Sequence, residues 1–256
     1  LQLNPPVLGF SVAEDKRVLF SQGNLQYQAS TKTWRFAEHQ WDYVGSQIPE
    51  PNIGGGDVGK VGGTVEGSDN VNRSSTYDGW IDLFGWGTSG WESGAEVYQP
   101  YSVCHNGNKY YPGGSYKNEL IGRYANADWG VYNAISNGGN QPGTWRTLTS
   151  SEWYYVLFNR SDASEKKGLA CINGINCLIL LPDNWVLPSG VSFKAGGGNS
   201  YYEYAKINNY SLSDWNKMET NGAVFLPAAG HFLSTFSITY TSDFAVFGAS
   251  HYGCYW

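Results

Sequence analysis

Four cysteines and four histidines are the side chains of this sequence best suited to metal binding or nucleophilic chemistry. The histidines, His39, His105, His231 and His251, fall at no metal-ligand spacing with one another or with Cys104, Cys171, Cys177 and Cys254. The string CINGINC, Cys171 to Cys177, reads as a hairpin turning on Asn173-Gly174. That register sets Ile172 opposite Ile175 and Cys177 opposite Ala170, so the sulfurs are not a facing pair and no disulfide is expected. GGGDVGK, Gly54 to Lys60, has the spacing of a phosphate-binding loop. Val61 stands where a magnesium-holding Ser or Thr is needed, however, and no buried strand precedes the glycines. Glu50-Pro51-Asn52 matches the tripeptide by which some calcium-dependent lectins hold mannose, with Asp183-Asn184 as the only remote ligand candidates. A polar loop is the simpler reading. There is no G-x-S-x-G elbow, and the carboxylates are scattered. No catalytic centre, metal site or cofactor is expected from these residues.

The elements that would position any site are built from few charges and many aromatics. Lys and Arg total 16 against 22 Asp and Glu, a net charge of −6, while Gly, Tyr and Trp number 33, 19 and 11. This profile predicts a turn-rich α+β fold, and the absence of a Lys/Arg cluster argues against nucleic acid as a partner. No apolar run approaches membrane-spanning length. KRVLFSQGNLQYQ and TWRFAEHQWDYVG read as strands broken at Gly23-Asn24 and Ser30-Thr31. Residues 46–76 read as loop. YDGWIDLFGWGTSGW sets Trp80, Trp86 and Trp91 among glycines, too irregular for a helix. Two helices carry caps: Thr149 with Glu152 ahead of Trp153, Val156 and Leu157, and Ser211 with Asp214, stopped at Gly222. NCLILLPDNW reads as a buried strand ended by Pro182. One α+β domain over 1–256 is expected, with two main helices, short strands and long loops.

The C-terminal FLPAAGHFLSTFSITYTSDFAVFGASHYGCYW contains no Lys, Glu, Gln, Met or Arg and stops on Trp256. Alternation would put Phe232, Ser234, Phe236, Ile238 and Tyr240 on one strand face. Two readings stand side by side. The segment is buried strand, where charged residues are disfavoured, or it is partly displayed, its aromatics supplying contact area at low entropic cost.

VLFSQGNLQYQASTKTWRFAEHQWDYVG, STYDGWIDLFGWGTSGW, YANADWGVYNAISNGGNQPGTWRTLTSSEWYYVLFNR and VFLPAAG…YGCYW resemble a family of exported proteins from gut Bacteroidales. The resemblance spans nearly the whole chain. It implies a divergent C-type lectin-like fold of the formylglycine-generating-enzyme type. Some members are diversity-generating-retroelement variable proteins, whose mutable segment follows an LPAAG-like strand. Adenine-directed mutagenesis of AAT or AAC codons never yields Trp, Met, Gln, Lys or Glu, and all five are missing from Asn221 through Tyr255. The match departs from the family at GHFLSTFSITYTSD, longer and more apolar than the usual turn, and at Trp256, where relatives continue. A domain truncated at its C-terminus is therefore expected.

The resemblance implies a non-enzymatic, adhesin-like ligand-binding protein, monomeric, secreted or at the cell surface, that engages a protein or glycan. Its expected contact residues are His231, Phe232, Phe236, Tyr240, Phe244, Phe247, His251 and Tyr252. The alternatives are a formylglycine-generating-enzyme-like oxidase, which would need a partner for Cys254, a calcium-dependent glycan-binding lectin, and a structural pilus or matrix component.

Overall fold

The computed structural model describes residues 9–44, 75–83, 89–91, 111–115, 117–197, 204–234 and 244–249. The chain divides into two compact units. One comprises Leu1–Phe20, Ser150–Ala228 and Ser250–Trp256, the other Ser21–Thr149 and Ala229–Ala249.

The first unit is organised by a four-stranded sheet. Its strands are β5 (Lys167–Ile172), β6 (Ile175–Leu180), β7 (Asn209–Tyr210) and β8 (Val224–Pro227), in the order β7-β5-β6-β8. β5 and β6 form a hairpin because Asn173 and Gly174 both take positive φ, 49° and 85°, as a two-residue primed turn requires. The register is the one read from the sequence, with Ile172 opposite Ile175 and Ala170 opposite Cys177. Cys171 pairs with Asn176, which puts the two sulfurs on opposite faces, and both thiols are free and buried. β8 runs antiparallel to β6 with Phe225 opposite Ile179, and β7 runs parallel to β5. Pro182 follows Leu181 and cannot donate to a further ladder.

Helix α4 (Leu212–Thr220) starts where its cap was read. Ser211 Oγ accepts from the Asp214 amide at 3.2 Å and donates to the Asp214 carboxylate at 2.9 Å. Gly222, at φ 89°, ends it. Trp215 and Met218 are its buried residues, and the Trp215 ring meets Phe225 edge-on at 5.4 Å. A further one-turn helix, α3, spans Tyr204–Ile207.

The other capped helix departs from expectation. α2 is regular only over Ser150–Tyr154 and continues as a π-helical turn over Tyr155–Asn159. Val156 is fully buried, and the turn closes on a bond from the Arg160 amide to the Tyr155 carbonyl at 2.9 Å. Two cations then cap the freed carbonyls: Arg160 Nε donates to Val156 O at 2.8 Å, and Lys167 Nζ donates to Leu157 O. Arg160 also donates Nη1 to Asp183 and Nη2 to Lys166 O, both at 3.3 Å, and lies over the Phe10 ring. Phe10 belongs to a short ladder of β1 (Phe10–Ser11) and β2 (Arg17–Val18).

In the second unit, β3 (Leu25–Gln28) and β4 (Thr33–Phe36) form an antiparallel hairpin. Bridges widen it on both sides, Tyr27 to Ile81 and Trp34 to Ile135. One face carries the core: Tyr27, Trp34, Phe36, Ile81, Ile135, Trp129 and Ala29, with Trp145 against its edge. Asn137 clamps Phe36 by accepting its amide proton at 2.7 Å and donating to its carbonyl at 2.9 Å. Asp128, buried, caps the one-turn helix α1 (Trp129–Tyr132) through the Gly130 amide and also accepts from the Thr147 amide. A Cβ on Gly130 would lie 2.6 Å from the Trp145 carbonyl oxygen, so only glycine allows this approach. β9 (Ala229–Ser234) and β10 (Phe244–Ala249) pair antiparallel as a two-stranded ribbon.

Candidate functional site

Of the eight contact residues expected from the sequence, four lie on the ribbon: His231 and Phe232 in β9, Phe244 and Phe247 in β10. Phe236, Tyr240, His251 and Tyr252 lie outside the described residues, as do Cys104, Cys254, the tripeptide Glu50–Asn52 and the glycine loop 54–60. The register sets position 247 opposite 231, 246 opposite 232 and 244 opposite 234. Because the pleat alternates, positions 232 and 244 share one face of the ribbon, and positions 231 and 247 share the other. The expected contact set therefore divides between two faces. Alternation already separates His231 from Phe232 and Phe244 from Phe247, but only the register shows which residues of the two strands share a face.

A second constellation went unnoticed in the sequence. On the hairpin face away from the core, Gln26 stands opposite Arg35 and Gln28 opposite Thr33. Trp80 precedes the bridged Ile81 and reaches the same face, where the Arg35 guanidinium lies over its ring at 3.7 Å. Arg35 Nε donates to Gln26 Oε1 at 3.0 Å, and Gln26 is only 5% exposed. Neither the terminal nitrogens of Arg35 nor the amide nitrogen of Gln26 has a hydrogen-bond partner among the described residues. Burial lowers the guanidinium pKa from its ordinary value, and the charges of Glu38 and Asp42 act the other way without forming an ion pair with it. Gln28 is engaged through both amide atoms, accepting from Thr31 and donating to Asp78 O.

The segment 38–44 makes a rim for this face. It leaves β4 at Ala37, is tied back by Asn24 Nδ2 to Asp42 O at 3.4 Å, and ends with the Val44 amide on Asp82 Oδ2 at 2.6 Å. On the rim, exposed His39 stacks on Trp41 at 4.4 Å with 10° between the rings. Glu38 is exposed, and Asp42 Oδ2 accepts from the His39 amide. The available sequence signal was modest: LQYQ and TWRF alternate a polar with an apolar residue. The identity of the polar partners needed the register and the bridge to Ile81.

Other groups are committed to the fold. Asp183, the remote lectin-ligand candidate, accepts from the Ser11 amide and hydroxyl at 2.9 and 2.6 Å and pairs with Arg160 and Arg17, each at 3.3 Å. Burial raises the Cys171 thiol, and it raises Cys177 well above its ordinary value, which is unfavourable for thiolate chemistry. Among the described residues no group of three or more His, Cys, Asp or Glu is placed to hold a metal ion, and no helix is long and apolar enough to cross a membrane.

Comparison with known proteins found no matching family model, no similar curated protein and no similar solved structure.

Proposed function

We propose that this chain is a non-enzymatic ligand-binding protein, C-type lectin-like in fold and secreted or displayed at the cell surface. In this reading its C-terminal aromatic segment engages a protein or glycan. The observation that supports it is topological. Among the described residues the segment after Ala228 does not extend the β5–β8 sheet but pairs with itself as a separate two-stranded ribbon. The aromatic positions of this segment therefore lie outside the ladder of that sheet. The resemblance to exported Bacteroidales proteins points the same way.

The ribbon's two faces give a direct test. Two double variants, Phe232→Ser with Phe244→Ser and His231→Ser with Phe247→Ser, change one face each. Binding of the full chain to arrays of purified glycans and extracellular proteins is expected to fall about tenfold or more for one pair and little for the other. Equal retention of array binding by both pairs would overturn the ribbon as the contact surface. The oxidase alternative requires a reactive cysteine. Aldehyde formation on a cysteine-containing peptide that disappears in Cys254→Ser would establish it in place of binding.

A further inference from the structure

We propose that the polar face of the β3–β4 hairpin is a second binding site, built from Arg35, Gln26, Trp80 and Glu38 for a neutral, pyranose-bearing glycan. It shares no residue with the ribbon.

The argument starts from Arg35. Its guanidinium is fixed in position twice, by the Trp80 ring beneath it and by Gln26 Oε1 at its Nε. A side chain held this way has already lost the rotamer freedom that a surface arginine would lose on binding. Yet its terminal nitrogens, and the amide nitrogen of Gln26 beside them, have no partner among the described residues. Protein groups normally satisfy donors on a partly desolvated face, because leaving them unmade costs about 1–3 kcal/mol each. A row of fixed, unused donors beside a ring is a surface prepared for an acceptor-rich ligand.

The neighbouring charges decide which one. Glu38 and Asp42 both lie within electrostatic reach of Arg35, so one positive charge faces two negative ones. A carboxylate, sulfate or phosphate would meet net repulsion, and a cation would meet Arg35 itself. A neutral ligand that both donates and accepts avoids both penalties. Vicinal hydroxyls do so: they accept from the planar guanidinium and amide, and donate to the Glu38 carboxylate on the rim.

The test is saturation-transfer difference NMR on the full chain. Cellotetraose, xylotetraose, maltotetraose, mannotetraose and chitotetraose are the neutral probes, and trigalacturonate is the acidic comparison. At least one neutral probe is expected to receive saturation and to bind more tightly than trigalacturonate. Arg35→Lys keeps the charge but removes the planar fork, and is expected to weaken that probe about tenfold. Glu38→Gln, at an exposed position, is expected to weaken it about threefold, while the Phe232→Ser, Phe244→Ser pair leaves it unchanged. The proposal is overturned if no neutral probe receives saturation at about 10 mM. It is also overturned if trigalacturonate binds best, or if Arg35→Lys and Glu38→Gln both bind like the parent. Loss of glycan binding only in the ribbon variants would overturn it too, and would support the ribbon as the contact surface.

Discussion

Each unit of this protein sets an arginine against an aromatic ring, and two of these, Arg160 and Arg35, are used in opposite ways. Arg160, whose side chain is 1% exposed, directs every one of its nitrogens to a partner: Val156 O, Asp183 and Lys166 O, with Phe10 below. It closes a π-helical turn and neutralises an aspartate that also holds β1. Among the described residues the Arg35 side chain makes one hydrogen bond, to Gln26, and has a ring to lie on. The first satisfies needs created by folding, whereas the second leaves donors that folding does not use. Removing one partner of the buried Arg160–Asp183 pair leaves an uncompensated charge, whereas Arg35 is the centre of the glycan site proposed above.

The largest effect expected from this contrast is at Arg160. Arg160→Ala leaves Asp183 without its buried partner and uncaps the helix, and is expected to destabilise the first unit by about 3–5 kcal/mol. Urea unfolding, with hydrogen exchange read in β5 and β6, measures it. Arg35→Ala is expected to cost less, about 1–3 kcal/mol, because it leaves the buried Gln26 Oε1 without its donor but breaks no ion pair or carbonyl cap among the described residues. If the two substitutions proved equal in cost, the distinction between the arginines would collapse.

Alkaline pH sharpens the same contrast. Burial, with smaller contributions from Cys177 and Asp214, pushes the Tyr210 phenol up to about 12 from its ordinary 10.0. The folded state holds that proton more tightly than the unfolded chain. Its stabilisation is therefore full below about pH 10 and lost as pH rises through about 12. The Cys177 thiol shifts in the same sense. Protection of β5 and β6 amides is expected to fall across this window, and less steeply in Tyr210→Phe. A profile unchanged by that substitution would assign the alkaline loss to other groups. The smallest expected effect is at the helix cap. Ser211→Ala removes the acceptor for the Asp214 amide and is expected to cost about 1 kcal/mol, measured by the shift in urea midpoint.

Much of the first unit was legible in the sequence because its signals are local. Asn173-Gly174 dictates a primed turn, and the turn alone fixes the register that separates Cys171 from Cys177. Ser211, Asp214 and Gly222 mark both ends of α4 within a dozen residues. The π-helical turn after Tyr154 was not legible. It depends on Arg160 and Lys167 reaching back to helix carbonyls, and on Asp183, 23 residues beyond Arg160 in the chain. The short helix at Trp129–Tyr132 was missed for a similar reason: Gly130 reads as a breaker until its close approach to Trp145 is seen.

By itself, then, the sequence determined the mixed α+β character, the breaks between strands, the capped helix and the hairpin, each set by backbone preferences of neighbouring residues. Tertiary structure decided which aromatic positions share a ribbon face, that Asp183 pairs with Arg160 and Arg17, and that Trp80 lies under Arg35. The physical reason is the same in all three. Period and turn chemistry are properties of a short segment, but register, ion pairing and stacking are fixed only when segments far apart in the chain are brought to within a few ångströms.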